Sequence, residues 1–199
     1  MAPLFRFLEH CDKLATLAIN SLDSSVTDPV WQFFSNKLVW VPLYLAVLKL
    51  LFSKRNWVKG LVMLLGIVLT IVACDQTANL FKEGFARLRP CHDLFMVTEG
   101  LHILEWPGNL YGFFSGHAAN AAGFAMSSYL ALKALDWKYS RQYAWGIIPW
   151  ALLVGLSRVF VGKHFLGDVL VGFAAGLLFS YLIMKAAVWA SGKLSRAQE

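Results

Sequence analysis

Long apolar stretches divide this chain more strongly than any other feature of its sequence. A transmembrane helix needs about 20 mostly apolar residues in a row, because the hydrocarbon core of a bilayer is roughly 30 Å thick. Five stretches approach or exceed that length, at residues 30–52, 57–81, 115–135, 143–156 and 165–190. We therefore expect an all-α fold, an integral-membrane helical bundle with about five transmembrane helices.

The small share of charged residues supports the same fold class. Charged residues make up 15% of the 199 positions, whereas a soluble domain carries about 25%. The length predicts one domain, covering residues 1–199. The net charge of +6 comes from Lys and Arg scattered between apolar stretches, without a continuous basic stripe. We therefore expect membrane lipids as partners and no nucleic acid.

The N-terminal segment differs from the stretches that follow it. Within residues 1–26, Leu4, Phe5, Leu8 and Leu14 recur at roughly helical spacing, with charged residues between them. This pattern predicts an amphipathic helix that lies at the membrane interface and is neither a transmembrane helix nor a cleavable signal peptide.

The connecting segments predict an orientation. Short cytoplasmic loops carry an excess of Lys and Arg. One set of helix ends carries Lys54, Arg55, Lys133, Lys138 and Arg141. We expect this side to be cytoplasmic, so that the polar loop at residues 83–112 faces the periplasm or the outside. The predicted location is then the inner, or cytoplasmic, membrane.

Three polar segments lie at the outward ends of the apolar stretches. They are residues 82–90, residues 115–117 and residues 157–168. Ionisable groups this close to a membrane span are energetically costly and are functional by default. The three segments therefore predict the functional site.

Several residues of these segments suit the binding of one phosphate. Lys82, Arg89 and Arg158 are three cations that could converge on an anion, and the planar fork of arginine matches phosphate oxygens. Ser115 and Gly116 stand where a helix begins, so free backbone amides and the helix dipole favour negative charge there. We expect these five residues to bind the phosphate of the substrate.

Two histidines and an aspartate suit nucleophilic catalysis. His164 and Asp168 are four residues apart, so on a helix they would share a face. Asp168 could then accept a hydrogen bond from one imidazole nitrogen and leave the other nitrogen as a nucleophile. His117 is available to protonate a leaving oxygen.

These segments resemble the type 2 phosphatidic acid phosphatase superfamily, which also includes the vanadium haloperoxidases. The family pattern is Lys-x6-Arg-Pro, then Pro-Ser-Gly-His, then Ser-Arg-x5-His-x3-Asp. Lys82 and Arg89-Pro90 match the first part, Ser115-Gly116-His117 the second, and Ser157-Arg158, His164 and Asp168 the third. Phe114 stands where the family usually has Pro. The resemblance covers residues from about 75 to 172.

The resemblance implies a membrane lipid phosphatase that works through a phosphohistidine, with no cofactor and no metal. His164 would attack phosphorus, Asp168 would orient it, and His117 would protonate the departing lipid oxygen. Three further residues are predicted to support the site. Asp75 and Asn79 share a helix face with Lys82 by their spacing, and Ser157 precedes Arg158 in the third segment.

The substrate has several candidates. Members of the family that resemble this chain are bacterial undecaprenyl-diphosphatases, so undecaprenyl diphosphate is the preferred prediction. A lipid A phosphate, phosphatidic acid or phosphatidylglycerophosphate is the alternative. A transporter that binds phospholipid headgroups and a vanadate-dependent peroxidase are other classes, but no inverted repeat is evident and the peroxidases are soluble. The oligomeric state is left open.

The remaining polar residues give no strong pattern. Cys11, Cys74 and Cys91 form neither a Cys-x-x-Cys pair nor a disulfide framework. His92 is predicted to be an ordinary polar residue. Arg87 could contact a lipid headgroup or face water.

Overall fold

The chain folds almost entirely into helices. The computed structural model describes residues 2–53 and 56–196, and within them the non-helical pairing is one isolated bridge between Leu88 and Tyr111. The described α-helices are α1 (Ala2–Asn20), α2 (Asp28–Ser35), α3 (Val41–Leu51), α4 (Trp57–Phe85), α5 (Leu94–Thr98), α6 (Gly116–Ala134), α7 (Ser140–Phe160) and α8 (Leu166–Arg196). Lys54 and Arg55, which the sequence analysis assigns to the cytoplasmic side, lie outside the described residues.

The apolar stretches correspond to these helices, although not all are simple spans. Within the described residues, three helices (α4, α7 and α8) are long and apolar enough to cross a membrane. The pair formed by α2 and the following segment passes the same test as a fourth span, but it is bent by 66°. Helix α6 is 19 residues long, but it is less apolar than α4, α7 and α8 and does not pass this test. The figure of about five spans therefore remains a prediction, whereas the all-helical membrane fold is confirmed.

The first predicted span, residues 30–52, is corrected to a broken helix. Helix α2 ends at Ser35, and Asn36 is extended, with φ −80° and ψ 114°. The Asn36 side chain accepts a hydrogen bond from the Leu38 amide and so starts a 3-10 turn at Lys37–Trp40. Pro42 in the first turn of α3 cannot donate a backbone hydrogen bond to the preceding turn. Asn36, which lies between the two bent segments, therefore directs the chain around a corner, and Pro42 occupies a position where proline is tolerated.

Helix α6 is the centre of the bundle and packs on α4, α7 and α8. Its contact with α8 is close because both helices have small residues there. A Cβ atom on Gly172 would lie 2.6 Å from the Ser115 carbonyl oxygen, and one on Gly176 would overlap the Ala119 carbonyl oxygen. The N-terminal part of α8 is thereby held against the first turn of α6.

Helix α1 has its polar face toward the protein and its apolar face outward. Asn20 donates to the carbonyl oxygens of Val159 and Phe160, and Thr16 accepts from the Leu166 amide. Leu4 and Phe5 are 66% and 69% exposed. An outward apolar face suits a helix that contacts lipid, as the sequence predicts. The helix ends at Asn20, inside the predicted 1–26 segment.

The helices run back and forth, so that one end of the bundle gathers the predicted site. Helix α4 ends, α6 begins, α7 ends and α8 begins at this end. The connection between α4 and α6 also lies here. Residues 83–85 of the predicted 83–112 loop belong to α4, which continues until Ala86 adopts the left-handed conformation, with φ 48°. A 3-10 turn (Pro90–His92) and α5 lie inside that connection.

Candidate active site

A polar cavity of about 770 Å³ opens at this end of the bundle. Its walls carry five Lys and Arg residues and two acidic residues, so an anion is favoured inside it. Eight of the predicted residues line it: Asp75, Asn79, Lys82, Arg89, Gly116, His117, Arg158 and His164. The structure therefore brings together residues that are up to 89 positions apart in the chain, from Asp75 to His164.

A tight turn between α7 and α8 places His164. Helix α7 ends at Phe160, and Gly162 takes a left-handed conformation with φ 75°. The amides of Lys163 and His164 both donate to the Arg158 carbonyl oxygen, at 3.0 and 3.1 Å. This is a common way to end a helix, because glycine adopts positive φ without strain. His164 therefore stands beside Arg158, and both line the cavity.

Asp168 lies behind His164 and is fully buried. His164 Nδ1 is 3.4 Å from Asp168 Oδ2, and the Phe165 amide donates to the same oxygen at 3.1 Å. The spacing of the two residues predicts one shared helix face, but His164 precedes the start of α8, and Asp168 lies in its first turn. A carboxylate there caps free amides and is stabilised by the helix dipole. The contact of Nδ1 with Asp168 leaves Nε2 as the nitrogen available to a substrate.

The pKa of His164 favours a nucleophile. Burial lowers the pKa of the ring to about 4, although Asp168 acts in the opposite direction. The imidazole is therefore neutral at neutral pH and has a free lone pair on one nitrogen.

The opposite wall comes from α4 and the start of α6. Lys82 Nζ donates to Asn79 Oδ1 at 3.1 Å, which supports the predicted role of Asn79 in holding the lysine. A Cβ atom on Gly116 would be 3.8 Å from Lys82 Nζ and 4.0 Å from Asp75 Oδ1. The polar face of α4 thus meets the first residue of α6, whose free amides add donors to the same wall.

Arg89 is held by the chain that returns toward α6. Its Nε donates to the Tyr111 carbonyl oxygen at 3.1 Å, and its own amide donates to the Leu110 carbonyl oxygen at 3.0 Å. Gly112 follows, where a Cβ atom would be 2.9 Å from Arg89 Cγ and 3.4 Å from His164 Nδ1. A residue without a side chain is therefore required between the arginine and the histidine.

Arg158 is held on one side only. Its Nη1 donates to Ser35 Oγ and lies 3.4 Å from Glu105 Oε2, and Ser35 Oγ donates to Glu105 Oε1. Its Nε is buried and has no hydrogen-bond partner in the described part of the chain. A buried donor without an acceptor is costly. The residue itself lines the cavity, so its positive charge favours an anion there.

Besides Asp168, two predicted residues, Ser115 and Ser157, lie outside the cavity lining. Ser115 is fully buried and is the N-cap of α6: its Oγ accepts from the Ala118 amide at 3.3 Å, and its amide donates to the Asp168 carbonyl oxygen at 3.0 Å. Ser157 donates to the Val154 carbonyl oxygen at 2.7 Å, within α7. Their predicted roles in binding and support remain predictions. The contacts show that Ser115 caps α6 and that the Ser157 hydroxyl is hydrogen-bonded within α7.

Four further charged residues in or beside the site belong to no motif in the sequence. Glu105 pairs with Arg158 and Lys163, and Lys37 and Lys163 add positive charge to the cavity wall. Burial lowers the pKa of Lys163, whereas Glu105 raises it. Arg87 was expected to contact a lipid headgroup or to face water, but its guanidinium group forms ion pairs with Asp168 and Asp12. No sequence pattern would identify these residues, since each depends on a contact between distant segments.

Other polar groups have structural partners. Cys91 Sγ and His92 Nε2 approach the carbonyl oxygens of Pro107 and Gly108, and so hold the loop. All three cysteines are free. Among the described residues, Asp23, Asp28 and His102 are close enough to hold a metal ion, but they do not line the cavity.

An apolar cavity of about 670 Å³ adjoins the polar one. The two cavities share Ser35, Lys37, Asp75 and His117. The apolar cavity extends between α3, α4 and α6, and includes Leu48, Val68 and Phe124. A molecule with a charged head and an apolar tail would match both cavities at once.

Known proteins are similar to this chain in sequence and in fold. The model of the PAP2 superfamily matches residues 59–191. A lipid A 4'-phosphatase of Porphyromonas gingivalis is 29% identical over 89% of this chain and 73% of its own length. An undecaprenyl-diphosphatase of Sulfolobus acidocaldarius is 31% identical over 75% of this chain and 64% of its own. The crystal structure of a transmembrane PAP2-type phosphatidylglycerolphosphate phosphatase from Bacillus subtilis has a TM-score of 0.70 and 26% identity, and covers 88% of this chain and 84% of that one.

Proposed function

The chain belongs to the PAP2 superfamily and is a lipid phosphatase, and from that premise we propose that it removes phosphate from lipid A through a phosphohistidine intermediate. The observation that carries this proposal is the polar cavity. Within it, the neutral His164, backed by Asp168, faces the same space as Lys82, Arg89 and Arg158.

The geometry suits a two-step transfer. His164 Nε2 attacks phosphorus, while His117, on the facing wall, gives a proton to the departing lipid oxygen. Water, deprotonated by His117, then attacks the phosphohistidine and releases phosphate, which restores His164. Lys82, Arg89, Arg158 and the Gly116 amide hold the phosphoryl oxygens in both steps, and such charge stabilisation supplies most of the catalysis in phosphoryl transfer.

The shape of the two cavities supports a lipid substrate. His117 and Asp75 lie where the polar and apolar cavities meet. The phosphate would lie against the cations, and an acyl chain would extend between α3 and α4 beside Leu48 and Val68. Burial of this acyl chain supplies binding energy that is independent of the headgroup.

Lipid A is favoured over undecaprenyl diphosphate, which the sequence analysis preferred. The lipid A 4'-phosphatase relative matches over a larger share of both chains than the undecaprenyl-diphosphatase does. The cavity rim also carries Gln32, Asn36 and Asn109, whose amides can hydrogen-bond the hydroxyls of a sugar. Undecaprenyl diphosphate, which lacks a sugar, remains the second candidate.

We also propose that the site faces the periplasm or the outside of the inner membrane. The loop between Lys133 and Arg141 lies at the opposite end of α6 and α7 from the cavity. Its basic residues favour the cytoplasmic side.

Phosphate release from a panel of lipids by the detergent-solubilised protein tests the proposal. The panel contains lipid A, undecaprenyl diphosphate, phosphatidylglycerophosphate and phosphatidic acid, with the His164→Ala variant as control. We expect the highest kcat/KM on lipid A, no turnover by the variant, unchanged activity in excess chelator, and inhibition by orthovanadate. A greater kcat/KM on undecaprenyl diphosphate than on lipid A would make undecaprenyl diphosphate the substrate. An active His164→Ala variant would refute the phosphohistidine intermediate. Lipid binding without phosphate release would favour the transporter.

A further inference from the structure

The nearest charged partner of Asp168 is an arginine outside the cavity lining. Arg87 Nη1 donates to Asp168 Oδ1 at 2.6 Å, whereas His164 Nδ1 is 3.4 Å from the other carboxylate oxygen. Asp168 is fully buried. A buried carboxylate needs a charged, hydrogen-bonding partner, and the Arg87 guanidinium is that partner for Asp168.

Arg87 is itself held by the N-terminal helix. Its Nη2 donates to Asp12 Oδ2 at 2.7 Å, and its guanidinium carbon is 4.1 Å from the centre of the Phe165 ring. The other oxygen of Asp12 accepts from the Gly167 amide at 2.7 Å. Burial lowers the pKa of Arg87, but Asp168 and Asp12 raise it overall, so the group is a permanent cation.

These contacts form a continuous row of charged groups from α1 to the nucleophile. The row runs from Asp12 to Arg87, then to Asp168, and ends at His164. Asp12 lies outside residues 59–191, which match the family model, and it is 152 positions from His164. Helix α1 therefore contacts the site through charge as well as through packing.

The row determines which nitrogen of His164 carries its proton. An ionised Asp168 only accepts hydrogen bonds, so Nδ1 must be the donor and Nε2 keeps its lone pair. A protonated Asp168 could donate to Nδ1 and place the imidazole proton on Nε2, which would block attack on phosphorus. Whatever keeps Asp168 ionised and oriented therefore keeps the nucleophile competent.

We propose that Arg87 and Asp12 are positioning residues, through which α1 keeps Asp168 ionised and His164 in the reactive tautomer. This inference rests on the proposed role of His164. It differs from a purely structural role, in which the same ion pairs would only attach α1 to the bundle.

Steady-state kinetics of four variants distinguish the two roles. Arg87→Gln should lower kcat by about 100-fold, the order expected for a misplaced reacting group. It should change KM by less than about threefold, because Arg87 does not line the cavity. Arg87→Lys keeps the charge, so it should retain more kcat than Arg87→Gln. It should still be slower than the wild type, because a lysine cannot span both carboxylates. Asp12→Asn keeps the acceptor for the Gly167 amide but weakens the hold on Arg87. Its kcat should lie between those of the wild type and Arg87→Gln.

Thr16→Val is the matched control for attachment of α1. It removes the hydrogen bond from the Leu166 amide at a fully buried position and leaves the charged row intact. We expect it to lower the melting temperature as Asp12→Asn does, while kcat stays near wild type.

The pH profile provides a second measurement. Loss of Arg87 leaves Asp168 with either a stronger hold on the His164 proton or a proton of its own. Both effects should move the acid limb of kcat/KM upward by about one pH unit or more. The other ionisable groups that act on His164 (Arg89, Arg158 and His117) remain in place.

The outcomes separate this inference from the proposed function. Arg87→Gln with normal kcat and an unshifted profile, or Thr16→Val with the same loss of kcat as Asp12→Asn, would refute the positioning role. In an Asp168→Asn background, Arg87→Gln should cause no further loss, and additive losses would also contradict the inference. If His164→Ala is active, the phosphohistidine fails as well; if only the Arg87 and Asp12 results are negative, it stands.

Discussion

Arg158 combines contacts to the protein with a place on the wall of the polar cavity. One nitrogen is bound to Ser35 and Glu105, and another is buried without a partner in the described chain. A lysine could serve one of these tasks but not both, because it has a single nitrogen on a flexible stem.

Arg158→Lys should therefore reduce kcat/KM strongly, although the charge is kept. The expected cost is roughly 2–4 kcal/mol in transition-state binding, as for removal of one oxyanion donor. Arg141→Lys on the exposed start of α7 is the control and should have no effect. Phosphate release under subsaturating substrate measures both variants, and near-normal kcat/KM for Arg158→Lys would show that this arginine only stabilises the fold.

At the scale of elements, the contact between α6 and α8 determines the site geometry. The start of α6 carries His117, and the start of α8 carries Asp168. The Ser115 amide donates to the Asp168 carbonyl oxygen, and Gly172 lies against the Ser115 carbonyl oxygen. Any separation of the two helices must therefore separate the two walls of the cavity.

Gly172→Ala should impair both stability and activity. Its Cβ atom would be 2.6 Å from the Ser115 carbonyl oxygen and 3.1 Å from Ala118 Cβ, and overpacking of this kind costs about 1–3 kcal/mol in the free energy of unfolding. Gly192→Ala, also on α8, meets no atom within 4 Å and should leave both properties unchanged. Melting temperature in detergent and kcat measure the pair; equal melting temperatures would contradict the close packing.

Local patterns in the sequence predicted the helices better than they predicted the contacts between them. The start of α6 at Ser115 and the residues of the cavity follow from capping chemistry and from the motif spacing. The corner at Asn36 was missed, because an apolar stretch hides a single capping residue. Arg87 and Glu105 were missed because their partners are 75 and 53 positions away. Only the folded chain shows which distant charges meet.

At the scale of the whole molecule, alternating helices place every component of the site at one end. Helix α4 ends there, α6 begins there, and the loop before α7 lies at the other end. If the basic loop is cytoplasmic, as the distribution of Lys and Arg favours, the cavity opens on the opposite surface.

Single cysteines test this orientation. Asn109, at the exposed cavity rim, and Lys138, in the exposed opposite loop, are each replaced by Cys after Cys11, Cys74 and Cys91 have been removed. An impermeant thiol reagent applied to intact cells, with any outer membrane permeabilised, should label position 109 and not position 138. Labelling after cell disruption controls for access. The reverse pattern would place the site in the cytoplasm.

The apolar cavity beside the site has a kinetic consequence. In the proposed binding mode the tail stays among the apolar groups between α3 and α4, so substrate and dephosphorylated lipid would enter and leave sideways within one leaflet. Inorganic phosphate alone then crosses into water. Encounters take place in two dimensions, so the concentration that governs the rate is the mole fraction of substrate in the bilayer or micelle. Dilution with inert detergent at a fixed total amount of substrate should slow turnover, even though the bulk concentration is unchanged.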